Sequence, residues 1–142
     1  MAITSAVCKS FKVEVLTGTH DFTASSGDTF KLALFTSSAS LNKNTTSYST
    51  SNEVSGTNYS AGGANLTSVT PVLSGDTAVC NFSTLTFSNV TVTARGCLIY
   101  NSSKSNKAVA VIDFGSDQSA VGSNFVISFP TANSTSAIVR IV

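Results

Sequence analysis

Apolar and polar positions alternate with a period of two over most of this chain, which is typical of β-strands. In the segment 30–35, FKLALF, the first, third and fifth residues fall on one face and the others on the opposite face. Further strand-like segments are 67–73, 77–82, 85–87 continuing into 90–92, 94–100, 108–114, 124–129 and 137–142. Turn-forming residues separate them at 74–76, 88–89, 101–106, 115–122 and 130–136. The short gaps favour hairpins, so we predict a mainly β fold, an antiparallel β-sandwich or jelly-roll-like domain.

One segment near the start has the pattern of a short N-terminal helix. Thr4 is a suitable N-cap, and a helix over residues 4–16 places three apolar side chains on one face. Those side chains are Val7, Phe11 and Val15. The length of 142 residues fits a single domain over 1–142, in which 1–20 form the N-terminal helical segment.

A long polar stretch over residues 37–66 predicts an arm or loop, because a connection of this length is unusual inside a compact domain. Its few large apolar side chains cannot form a core of their own, so a partner or the parent domain must hold it. The apolar face of the helix either docks on a partner or covers one end of its own sandwich. The candidate partner-contact residues are Val7, Phe11, Val15, Leu41, Tyr48, Val54 and Tyr59.

The segment 94–116, ARGCLIYNSSKSNKAVAVIDFGS, contains the densest mixture of reactive side chains in the chain. Two β-rich runs flank a polar tip at 102–106, which is the pattern of a hairpin. Arg95 and Asp113 fall near each other across the two strands, and we interpret them as a structural ion pair.

Composition narrows the classes of function. Lys and Arg (8) nearly balance Asp and Glu (7), and 11% of residues are charged, so we expect no nucleic-acid partner. The chain has no apolar run of the roughly 18 residues that a membrane span needs, and its first residues do not resemble a secretion signal. We therefore expect no membrane partner. Three cysteines match neither a disulfide framework nor a zinc motif, and we interpret them as small buried side chains.

Candidate chemistry is sparse. The single histidine, His20, precedes Asp21 and lies twelve residues after Cys8, but no Gly-x-Ser-x-Gly motif accompanies it. We interpret His20 as a cap at the end of the helix. Asp113 and Asp117 are the one close carboxylate pair that a glycan hydrolase would need. The sequence predicts no catalytic residue, no metal site and no cofactor, and we expect a protein that is not an enzyme.

Several stretches together resemble the small β-rich structural proteins of tailed bacteriophage virions, and the resemblance covers nearly the whole chain. They are MAITSAVCKSFKVEVLTGTHDF, GDTFKLALFTSSASL, NEVSGTNYSAGGANLT, ARGCLIYNSS, AVAVIDFGS and FPTANSTSAIVRIV. The resemblance implies a virion protein assembled in the host cytoplasm, with capsid decoration (a cement protein) as the first expectation. Its implied partners are the major capsid protein or another virion protein, and further copies of itself as a dimer or trimer. The alternative role is a tail, baseplate or fibre protein, including one that binds a host receptor.

Overall fold

The computed structural model describes residues 2–142 and is mainly β, with one short helix in that range. The elements are β1 (Ala6–Val7), α1 (Lys9–Leu16), β2 (Phe30–Phe35), β3 (Ala64–Asn65), β4 (Ser68–Ser74), β5 (Thr77–Phe82), β6 (Leu85–Asn101), β7 (Lys107–Ile127) and β8 (Val139–Ile141). The strands form two antiparallel sheets, a five-stranded one in the order β1-β7-β6-β2-β3 and a three-stranded one in the order β4-β5-β8. This confirms the predicted mainly β, antiparallel class with one short helix.

The two sheets share one hydrophobic core. Phe30 of β2 and Phe82 of β5 lie with their ring centroids 5.7 Å apart, and Phe22 stacks on Phe30 at 4.3 Å. The opposite face of the five-stranded sheet is also covered, because Tyr48 of the arm stacks on Tyr100 of β6 at 4.6 Å. The centre of this sheet is therefore buried on both faces, which explains why residues 96–101 of β6 are all buried.

The long hairpin β6–β7 confirms the predicted polar tip at 102–106 but extends much further than the sequence indicates. Segments predicted as separate strands are continuous, and the turns predicted at 88–89 and 115–122 are instead irregularities within the two strands. The register shifts next to Asn89, whose φ is 53°, and around Gly115 and Gly122, whose φ values are 84° and 57°. These bulges use residues such as Gly and Asn in the left-handed backbone conformation, as many turns do. A bulge and a turn therefore look alike in the sequence.

The helix begins at Lys9 rather than at residue 4, so the predicted cap at Thr4 is wrong. Ala6 and Val7 pair with Val111 and Ala110 of β7, and the N–H of Thr4 donates to the carbonyl of Leu41 at 2.9 Å. Pairing with the sheet satisfies these backbone groups, and the tertiary contact overrides the local helical pattern.

The arm over 37–66 is held along its own domain by backbone hydrogen bonds. The N–H of Val54 donates to the carbonyl of Leu34 at 3.0 Å, and the N–H of Tyr48 donates to that of Asn106 at 2.9 Å. The arm ends in β3, which pairs with β2. Of the two expectations for what holds it, the structure therefore shows the parent domain in this role.

Candidate interaction surface

The seven residues predicted to contact a partner fall into three structural groups. Phe11, Leu41 and Val54 are 2%, 8% and 5% exposed and belong to the core of this chain. Tyr48 and Tyr59 bind an arm carboxylate, and Val7 and Val15 are partly buried beside a surface groove. The structure thus brings Val7, Phe11 and Val15 together at the groove and places the four arm residues elsewhere. The sequence could not separate these groups, because an apolar residue has the same pattern whether it covers its own core or a partner.

The carboxylate of Glu53 links three parts of the arm to one another. It accepts hydrogen bonds from the hydroxyl of Tyr48 at 2.5 Å, from the hydroxyl of Tyr59 at 2.6 Å, and from the N–H of Gly62 at 2.8 Å. The Tyr59 hydroxyl in turn accepts from the N–H of Leu34 at 2.9 Å. Burial, reinforced by the bonds to Glu53, raises the pKa of both tyrosine hydroxyls, so both remain protonated donors. The sequence analysis missed this cluster, although Glu53 is the one carboxylate between residues 37 and 66 and has tyrosines on both sides.

A groove with a volume of about 670 Å³ lies between α1 and β8, and we call it the α1–β8 groove. Its lining residues are Val7, Phe11, Lys12, Val15, Leu16 and Ala137 to Ile141. A smaller apolar cavity of about 110 Å³ adjoins it and shares Phe11, Val15, Val139 and Ile141. Five consecutive residues, 137–141, which include all of β8, line the groove, so the groove follows the edge of the strand rather than one of its faces.

Apolar side chains remain exposed around this groove. Leu16 is 87% exposed, Ile141 is 56% exposed and the neighbouring Val142 is 93% exposed. Leu73 of β4, which is 72% exposed, forms one cross-strand row with Ala78 and Ile141. This concentration of exposed apolar side chains makes the groove the candidate interaction surface.

His20 is part of a buried polar chain and does not cap the helix as predicted. Its side chain is fully buried; Nε2 lies 2.9 Å from Oε1 of Glu14, and Nδ1 lies 2.9 Å from the amide nitrogen of Asn101. The same amide nitrogen donates to Asp28 at 2.8 Å. Because Asn101 donates, Nδ1 of His20 is assigned as the acceptor and Nε2 as the donor to Glu14. The end of the helix is satisfied instead by Thr17, whose N–H and hydroxyl donate to helix carbonyls.

In both sequence candidates for a reactive pair, one member has other hydrogen-bond partners. Within residues 2–142, Cys8 shares no hydrogen bond with His20, whose ring nitrogens both have other partners. In the carboxylate pair, Asp113 accepts from the N–H of Gly115 and from Nε of Arg95, both at 2.9 Å. These two bonds lower the pKa of Asp113, so its carboxylate stays ionised in a structural ion pair. The Arg95–Asp113 ion pair itself confirms the structural role predicted for it.

We predict that the three thiols are unreactive in the folded chain. Cys8, Cys80 and Cys97 are free and buried, and burial raises the pKa of Cys8 to about 11, with a contribution from Glu14, and those of Cys80 and Cys97 to about 12. Since the thiolate is the reactive form, a disulfide reagent at about pH 8 should label no thiol in the native protein and all three after denaturation. Rapid labelling of any cysteine under native conditions contradicts this placement.

Comparison with known proteins yields no relationship: no protein-family model, no curated protein and no solved structure matches the chain. In the part of the chain described by the structure, no group of three or more His, Cys, Asp or Glu side chains is arranged to hold a metal ion. No helix between residues 2 and 142 has the length and apolar character to span a membrane.

Proposed function

We propose that this chain is a non-enzymatic structural protein of a tailed bacteriophage particle, and that it decorates the outer capsid shell. It is assembled onto the particle in the host cytoplasm and binds the major capsid protein. The sequence resemblance described above motivates the class, and the mainly β, antiparallel fold is compatible with it.

The observation that carries the proposal is the exposed apolar surface at the α1–β8 groove. Leu16, Ile141 and the neighbouring Val142 are exposed together at this groove, and clustered exposed apolar side chains are typical of interaction sites. The arm, by contrast, is already attached to its own domain by backbone hydrogen bonds and by the hydroxyl of Tyr59, which accepts from the N–H of Leu34. We therefore assign shell attachment to the α1–β8 groove rather than to the arm.

The remaining surface suits display on a particle. The chain has a formal net charge of +1, and 25 serines and 19 threonines supply most of its polarity. A weakly charged surface has little long-range attraction for polyelectrolytes. When many copies are arranged on one shell, linked subunits add their weak contacts together, so each contact needs only modest affinity.

The copy number of the chain in purified particles tests this proposal. We expect quantitative mass spectrometry to find the chain at a copy number comparable to that of the major capsid protein. A copy number far below that of the shell protein supports the tail, baseplate or fibre alternative instead. Absence of the chain from purified particles contradicts both roles.

A further inference from the structure

We propose that the α1–β8 groove binds an extended segment of the shell protein that carries apolar side chains flanked by carboxylates. This inference rests on the proposed function and deepens it by specifying the surface and the chemistry of the partner segment. Three features of the groove support it: the free edge of β8, the charge of its lining and its exposed apolar rim.

The edge of β8 is available for an added strand. β8 is the last strand of the order β4-β5-β8, and no strand within residues 2–142 pairs with its outer edge. The opposite edge, β4, contains Pro71, which has no N–H to donate, and a register shift between Val69 and Val72. Proline and bulges protect an edge from further pairing, whereas an open edge accepts an extended segment through backbone hydrogen bonds.

The charge of the groove favours an acidic segment. Lys12 and Arg140 are the two charged residues in its lining, and both are cations. Neither forms an ion pair with a residue in the described range. The nearby carboxylate of Glu14 is already engaged, since it lies 2.9 Å from His20 and 3.6 Å from Lys107. Carboxylates of the partner segment would complement these two cations.

The same charges disfavour a second copy of this chain in the groove. A two-fold contact places the same surface on both sides of the interface. The cations Lys12 and Arg140 would then approach those of the other copy, with no carboxylate in the lining to offset them. Any two-fold dimer of this chain is therefore expected to use a different surface.

The apolar rim gives the segment its anchor points. Leu16 of α1 and Ile141 of β8 both line the groove, and Val15 and Val139 line both the groove and the adjoining small cavity. An apolar side chain of the segment, placed between Leu16 and Ile141, removes both from water. Alternate side chains of an extended segment point to opposite sides, so its acidic residues can face Lys12 or Arg140 while its apolar residues enter the groove.

Binding of the purified protein to particles that lack it tests this inference. The particles come from a phage in which the gene for this chain is deleted, and occupancy is measured by co-sedimentation at increasing protein concentration. We expect Lys12→Glu to weaken binding by about tenfold or more, because it places a negative charge opposite the partner carboxylates. Leu16→Ser should weaken binding as well, and wild-type binding should decrease with added salt.

The matched control is Lys43→Glu. Lys43 is an exposed arm lysine outside the groove, so this variant has the same change in charge and should retain wild-type binding. Unchanged thermal unfolding of all three variants shows that they are folded, as expected for exposed positions.

Other results of these binding experiments would contradict either the groove, the proposed function or the acidic segment. If Lys12→Glu and Lys43→Glu weaken binding equally, or if both groove variants bind like the wild-type protein, the groove is not the binding site. The proposed function is unaffected by either result. Failure of the wild-type protein to bind the particles overturns the proposed function, and with it the inference. A wild-type dimer that Leu16→Ser dissociates in sedimentation equilibrium makes a second copy the occupant and overturns the acidic segment.

Discussion

Replacing Gly63 with alanine is expected to destabilise the protein by about 3–5 kcal/mol, measured as the loss in free energy of unfolding in urea. Gly63 has a φ of 78°, in the left-handed region that side chains disfavour. An added Cβ would also lie 2.6 Å from the carbonyl carbon of Leu32, closer still to its oxygen, and 2.8 Å from Cα of Ala33. The backbone of β2 cannot move aside easily, because Leu32 is fully buried and pairs with Ile99 of β6.

Gly115→Ala separates the two causes. Gly115 has a similar φ of 84°, but an added Cβ there would meet no atom within 4 Å. Its expected cost is the conformational one alone, about 1–2 kcal/mol. The difference between the two variants therefore measures how closely the end of the arm approaches β2. Equal losses of stability for Gly63→Ala and Gly115→Ala would show that this close approach is absent.

The sequence predicted the strands where local pattern and tertiary environment agree. The predicted strands at 30–35 and 77–82 coincide with β2 and β5, because alternation and turn residues at their ends give the same boundaries. The hairpin tip at 102–106 also agrees, since a polar tip between two apolar runs has few other interpretations.

The sequence could not predict where long-range pairing decides the structure. Asn89 and Gly115 have the residue types of turns, yet each lies within a strand whose partner continues alongside it. The helix begins at Lys9 and not at residue 4 because Ala6 and Val7 pair with residues of β7, more than 100 residues later in the chain. Local patterns contain no information on such distant partners.

The candidate site was predictable only in part, for the same reason. The sequence grouped Val7, Phe11 and Val15 on one helix face; the structure places Val7 in β1 instead, although all three residues line the groove. The other half of the groove comes from 137–141, whose apolar pattern indicates a strand but not its position beside α1. The sequence also could not predict that Leu16 is exposed, because the exposure of this residue depends on where the C-terminal segment packs.

Replacing Glu53 with alanine is expected to lower the free energy of unfolding by about 2–4 kcal/mol, because three donors lose a charged acceptor. The hydroxyls of Tyr48 and Tyr59 and the N–H of Gly62 all donate to this carboxylate. These bonds are only partly buried, so water replaces some of them and the loss stays below the sum for three fully buried donors. Urea unfolding followed by tyrosine fluorescence measures the effect at the site itself.

Asp117→Ala is the matched control, since Asp117 is an exposed carboxylate whose side chain has no hydrogen-bond partner among residues 2–142. It removes the same charge and should change stability by less than about 0.5 kcal/mol.

Glu53→Gln should fall between the two, because the amide keeps one oxygen acceptor but turns an N–H₂ donor toward a hydroxyl or the N–H of Gly62. Hydrogen exchange then locates the loss: we expect Glu53→Ala to speed exchange at Tyr48 and Val54, whose N–H groups attach the arm to the hairpin tip and to β2. Exchange at those amides that matches the wild-type protein would show that the arm is held without Glu53.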